Sequence, residues 1–146
     1  VETASGHIRG VMKMSEKKIK VLLSAYSLET HSRGIVTVAS MLRDAGMEII
    51  YIGNNRPEQI IEAAVQEDVD VVGINSMCGG ALELGGELMR SAEEKGIKDK
   101  VAFAMGGIFP PEDEPKLKKL GFKALLKPGA TSEEVVGAVK EIVIEV

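Results

Sequence analysis

Histidine is scarce in this chain of 146 residues, which holds only His7 and His31. His31 follows Glu29 by two positions, in the polar stretch 24–34 between an apolar run and a helix-like pattern. On extended backbone, side chains two apart point the same way. A carboxylate so placed can accept the proton of one imidazole nitrogen. That fixes the tautomer and leaves the other nitrogen as a neutral donor to a metal ion. His31 is therefore a candidate metal ligand and Glu29 its orienting partner. The same spacing also suits a solvated loop pair, and these two residues alone leave both readings open.

Other reactive types fall in corresponding places further along. Ser76 follows a third apolar run, where its hydroxyl can either bond a ligand or cap the next helix. Cys78 reads as a small buried filler rather than a nucleophile, since free cysteine is usually buried. Gly79-Gly80 and Gly106-Gly107 sit where strands give way to helices. Missing Cβ atoms there allow either a tight turn or a ligand lying close to the backbone. Gly85-Gly86 falls inside a helical pattern, where each glycine costs about 1 kcal/mol relative to alanine. That implies close packing of the helix on a neighbour, in this chain or another.

The elements that must carry these residues alternate. Apolar runs at 19–24, 47–52, 69–74, 101–105 and 122–126 are too short for helices and suit buried strands. Between and after them lie helical patterns at 34–45, from Pro57 onward, at 81–95, from Pro110-Pro111 to about 120, and from Thr131 or Ser132 to the end. Gly46, Gly96 and Gly121 act as stops. Residues 53–56 (GNNR) read as a turn cluster. Five strand–helix units predict an α/β fold: a flavodoxin-like (Rossmann-like) parallel sheet of five strands in the order 2-1-3-4-5, with helices on both faces. Ligands of such sheets bind outside the carboxyl ends of the strands. The loops at 24–34, 75–80, 105–110 and 127–131 then converge, bringing Pro128 to the same crevice. Residues 1–16, with His7, read as a tail, and 17–146 as one domain.

Composition narrows the function. A net charge of −4 and the absence of a basic run speak against nucleic acid. No apolar run approaches the ~20 residues of a membrane-spanning helix. One cysteine excludes an internal disulfide and a CxxC metal site, fits a reducing cytoplasm, and leaves too few ligands for a lone zinc site. A phospho-receiver needs an aspartate at the tip of strand three, where this chain has Gly73-Ile-Asn-Ser76. A flavodoxin-type loop remains open, with Ser24, Ser27, Thr30 and Ser32 as polar groups and Tyr26 as a stacking ring.

Taken together, Glu29-Thr-His31-Ser-Arg-Gly34, then Ser76-Met-Cys78, then Gly106-Gly107 resemble the cobalamin-binding domain of cobalamin-dependent mutases. That family carries Asp-x-His-x-x-Gly, Ser-x-Leu and Gly-Gly after strands one, three and four. The resemblance spans about residues 18–143 and is strongest to the methylmalonyl-CoA mutase branch. It implies that His31 is the lower axial ligand of cobalt in adenosylcobalamin, replacing the cofactor's own dimethylbenzimidazole. The displaced tail would run down the crevice, with Ser76 bonding the base. Gly106 and Gly107 would let the tail pass, and Pro128 and Gly129 would border it. Ser32, Arg33 and Gly34 would stand at the head of the first helix, and Cys78 and Gly79 in the third loop.

The resemblance further implies a cytoplasmic isomerase subunit performing radical carbon-skeleton rearrangement. It would not act alone, because the chain has no room for the (β/α)8 barrel of ~250 residues that holds substrate. A large barrel subunit would be its partner. A corrinoid carrier for methyl transfer, or a flavodoxin-like module that has lost cobalamin, are the other readings. The chain departs from the family at Glu29 (family aspartate), Ala25 (lysine), Ser27 and Thr30 (glycines) and Cys78 (leucine).

Overall fold

The computed structural model describes residues 18–77 and 79–146; the expectations for the tail, for His7 and for Cys78 lie outside the described residues. Along the chain run β1 (Lys20–Tyr26), α1 (Arg33–Asp44), β2 (Glu48–Asn55), α2 (Pro57–Glu67), β3 (Val71–Ser76), α3 (Ala81–Glu94), β4 (Ala102–Gly107), α4 (Glu114–Leu120), β5 (Phe122–Leu126) and α5 (Ser132–Ile144). The strands form one parallel sheet in the order β2-β1-β3-β4-β5. This is the flavodoxin-like arrangement that the alternation predicts. A parallel sheet needs both faces covered, and the core accordingly falls into two clusters. On one face Val72, Ile74, Phe103 and Met105 meet α2, α3 and α4 through Ile60, Leu88 and Leu117. On the other, Val21, Val71, Ala102 and Ala104 meet α1 and α5 through Leu42, Val135 and Val139.

Strands β1 to β4 run two or three residues past the ends of their apolar runs. Ladder pairing continues through Ala25↔Asn54 and Tyr26↔Asn55, and through Asn75↔Gly106 and Ser76↔Gly107. Backbone hydrogen bonding carries the strands beyond their apolar runs, and Ala25, Tyr26, Asn75 and Ser76 are still buried there. The turn expected at 53–56 is thus mostly strand. The register shifts between Leu23 and Ala25, so that Ile52 and Gly53 together oppose Ser24, with Gly53 at φ +74°. This is a bulge, which re-aims the side chain that follows it; that residue is Asn54. Ser24 closes the bulge by donating its hydroxyl to the Gly53 carbonyl at 2.9 Å.

Two helix expectations resolve into specific causes. Thr131 caps α5: its hydroxyl accepts from the Glu134 N–H while the Glu134 carboxylate accepts from the Thr131 N–H, both at 3.1 Å. Gly85 is explained within the chain, since a Cβ there would lie 3.0 Å from the Phe122 ring. Among the described residues nothing crowds Gly86.

Candidate functional site

Past Tyr26 the chain turns, with the Glu29 N–H donating to the Tyr26 carbonyl at 2.9 Å. Residues 29–31 then bring a carboxylate and an imidazole to the carboxyl edge of the sheet. The Glu29 side chain is 3% exposed and the His31 side chain 58%. A buried carboxylate needs partners, and Glu29 has them on both oxygens. Oε2 meets His31 Nδ1 at 3.0 Å and accepts from the His31 N–H at 3.2 Å; Oε1 accepts from the Met77 N–H at 2.6 Å. Of the pair, Glu29 is withdrawn from solvent and His31 remains largely exposed. The carboxylate is buried and tied to the loop after β3. With Nδ1 donating to Glu29, the neutral ring carries its lone pair on Nε2.

Behind His31 lies a cavity of about 740 Å³ between α1 and α5. Its mouth is formed by His31, Ser32, Arg33 and Gly34 on one side and by Lys127, Pro128 and Gly129 on the other. Gly73, Ala104, Gly106 and Gly107 line its wall, and Val21, Val71 and Val139 its depth. Ser32 precedes α1 but makes no side-chain cap bond, and a Cβ at Gly34 or Gly129 would meet none of the described residues within 4 Å. Gly107 has a second reason to be glycine. At φ +143°, a Cβ there would fall on the Ser76 carbonyl, so β3 and β4 close up at this edge. The size and largely apolar lining suit a large, mostly apolar group with few polar anchors.

Most of the expected site residues meet around this cavity, but the β3 wall differs. Side chains alternate along a strand. Val72 and Ile74 belong to the opposite core, so Ser76 turns away with them, and it is 1% exposed. Asn75 and Met77 line the cavity instead. The expectation placed Ser76 there because it ended the strand at 74 and left the phase undetermined. Nor does Ser76 cap α3, whose N-cap is Gly80. Gly79, at φ +90°, lies in the turn before that helix and does not line the cavity. Two residues that the motifs did not single out bind the His31 loop directly. Asn75 Nδ2 donates to the His31 carbonyl at 2.6 Å, and Asn54 Nδ2 donates to the carbonyls of Tyr26 at 3.1 Å and Glu29 at 2.5 Å.

Tyr26, the candidate stacking ring, is buried in the core on the far side of the sheet. Burial, with the charge of Glu87, holds its phenol well above the ordinary tyrosine range. It cannot stack on a ligand in the cavity, which removes the stacking ring from the flavodoxin-type reading. Among the described residues no three His, Cys, Asp or Glu side chains group as a metal site.

Residues 19–136 match the family model described as "B12 binding domain". The chain is 36% identical over 131 residues to the 2-hydroxyisobutanoyl-CoA mutase small subunit of Aquincola tertiaricarbonis, covering 89% of this chain and 96% of that one. It is 35% identical over 127 residues to the pivalyl-CoA mutase small subunit of Xanthobacter autotrophicus, covering 84% and 82%. Among solved structures, the monomethylamine corrinoid protein of Methanosarcina barkeri superposes with a TM-score of 0.73 at 18% identity, over 95% of this chain and 67% of that one, a likeness of fold.

Proposed function

This chain belongs to the B12-binding domain family, and on that premise we propose that it is the cobalamin-carrying small subunit of an acyl-CoA mutase. It would hold adenosylcobalamin base-off, with His31 Nε2 as the lower axial ligand of cobalt. The observation that carries this reading is the buried Glu29 carboxylate 3.0 Å from His31 Nδ1, at the mouth of a deep apolar cavity. Imidazole nitrogen is a suitable donor for a borderline transition metal. A carboxylate on the other ring nitrogen raises its basicity. The cavity behind His31 would take the displaced nucleotide tail, with Gly34, Gly106, Gly107, Pro128 and Gly129 around it. On the β3 wall Asn75 and Met77 are the residues in position to meet the tail.

The bound cofactor would supply radical carbon-skeleton chemistry; the chain's own residues orient and anchor it. Glu29 holds the imidazole ring and its Nδ1 proton, and the apolar walls keep water from the tail. The matched relatives named small subunits are covered at 96% and 82% of their length. A large mutase subunit, carrying substrate in a (β/α)8 barrel, is the partner proposed here. No described helix is long and apolar enough to cross a membrane, and we place the protein in the cytoplasm.

The test is spectroscopic. The purified chain, alone and with its large subunit, is titrated with adenosylcobalamin, and the visible spectrum is read for imidazole ligation. Wild type is expected to bind with histidine coordinated. His31→Ala is expected to lose that signature and to bind at least tenfold more weakly, the scale of one lost directional contact. A His31→Ala spectrum identical to wild type would remove His31 as the ligand.

A further inference from the structure

The loop that carries His31 reads Ser27-Leu-Glu-Thr-His31 and contains no glycine. Something other than a tight glycine turn must hold it. We propose that Asn54 and Asn75 are positioning residues for His31. They are two side-chain amides, one from each strand flanking β1, that pin the backbone of residues 26–31 so that the imidazole stands at the cavity mouth.

The geometry is specific. From β2, Asn54 Nδ2 bridges the carbonyls of Tyr26 and Glu29, the first and fourth residues of the turn. From β3, Asn75 Nδ2 holds the carbonyl of His31 itself. All three acceptors are carbonyl oxygens, so each amide must present its nitrogen, and the side-chain oxygens face away. Asn54 reaches the loop because the bulge at Gly53 shifts the end of β2 by one residue. Without that extra residue the side chain at this position would project from the other face. Asn75 reaches it because it lies in the phase of β3 that faces the cavity, and it is 7% exposed. Together with Glu29 on Met77, these contacts fasten the His31 loop to both neighbouring strands. A tether on the backbone carbonyl fixes where the ring begins, and Glu29 fixes how it turns. Neither amide touches the imidazole, so both act through His31.

The cofactor arm of this proposal rests on His31 being the cobalt ligand; the loop arm does not. Asn75→Asp and Asn54→Asp keep side-chain shape but set a carboxylate against a carbonyl. Asn75→Gln retains the amide as the conservative control. In the cofactor-free chain, amide hydrogen exchange over residues 27–32 is expected to rise about tenfold in each Asp variant, with the centre of β1 and α1 unchanged. With adenosylcobalamin, both Asp variants are expected to lose imidazole ligation in the visible spectrum and to bind about tenfold more weakly, the effect of one lost hydrogen bond. Asn75→Gln is expected to recover part of the ligation signature. If wild type itself shows no histidine ligation, the reading of His31 as cobalt ligand fails, and the exchange arm alone decides the clamp. Unchanged exchange at 27–32 in both Asp variants overturns the proposal, as does full His31 ligation in both. If Asn75→Asp does not fold, Asn54→Asp, at the exposed end of an edge strand, decides it by the same readouts.

Discussion

The two faces of this sheet share one backbone and differ in what stands on it. On the side of α2, α3 and α4, β3 and β4 present Val72, Ile74, Phe103 and Met105. Phe103 meets Phe122 edge to face, with ring centroids 6.5 Å apart at 85°. On the side of α1 and α5, the same strands present Val71, Gly73, Ala102, Ala104 and Gly106. Large side chains fill the first face, and small ones leave about 740 Å³ open on the second. The filled side also has a cleft, of about 550 Å³, but it lies over packed core and is lined by Arg56, Glu58, Glu87 and Arg90. A large group can go deep only where the strands carry no bulk. The bulkiest packing and the cavity proposed for the cofactor thus lie on opposite faces.

The sharpest way to break that division is to hollow the filled side. Phe103→Ala removes a ring that is 1% exposed and in contact with Phe122. It should cost about 3–5 kcal/mol of stability, read as a fall in the urea midpoint, and should leave the cavity walls in place. A cost below about 1 kcal/mol would mean that this face can collapse around the gap and is not the rigid half.

Filling the hollow side should do the reverse. A Cβ at Gly106 would make only ordinary contacts, 3.6 Å from the Leu126 carbonyl and 3.9 Å from its Cβ. Gly106→Leu therefore adds bulk to the cavity without straining the backbone. Adenosylcobalamin affinity should drop at least tenfold, about 1.4 kcal/mol, while the urea midpoint stays within about 0.5 kcal/mol of wild type. Unchanged affinity would place the tail elsewhere than this cavity.

Much of this contrast was legible before any coordinates. The run 102–107 (AFAMGG) alternates small and large, so a period of two already separates a hollow face from a filled one. The five strand–helix units and their order follow from the apolar runs, and the spacing of Glu29 and His31 allowed their pairing without deciding it. What could not be read is what apolar runs do not encode. The strands continue past their apolar runs through polar residues paired in the ladder, so the phase at the end of β3 was open, and Ser76 was assigned to the wall that Asn75 and Met77 form. The bulge at Gly53 has the composition of a turn, and only the pairing Ala25↔Asn54 distinguishes the two. Asn54 and Asn75 were missed for the same reason: their partners are carbonyls 25 to 44 residues away, and a carbonyl leaves no mark in sequence.

The smallest predicted effect concerns how a helix stays fixed over an open cavity. Helix α5 lies on the hollow face, so its first turn depends more on its own cap than a helix packed all along its length. Thr131→Ala removes the hydroxyl that accepts the Glu134 N–H and should cost about 1 kcal/mol, measured by thermal melts. The reciprocal half of the cap is ionic. The Thr131 N–H, and then its hydroxyl, hold the Glu134 carboxyl below its ordinary value of 4.5. A carboxyl whose pKa is lower folded than unfolded contributes stability above its unfolded value, and the contribution fades as pH falls through the folded one. Glu134→Gln keeps an acceptor for the Thr131 N–H but carries no charge. It should melt slightly below wild type at neutral pH, and the two should converge as the pH drops below about 4. A gap that persists at low pH would assign the cap to hydrogen bonding alone.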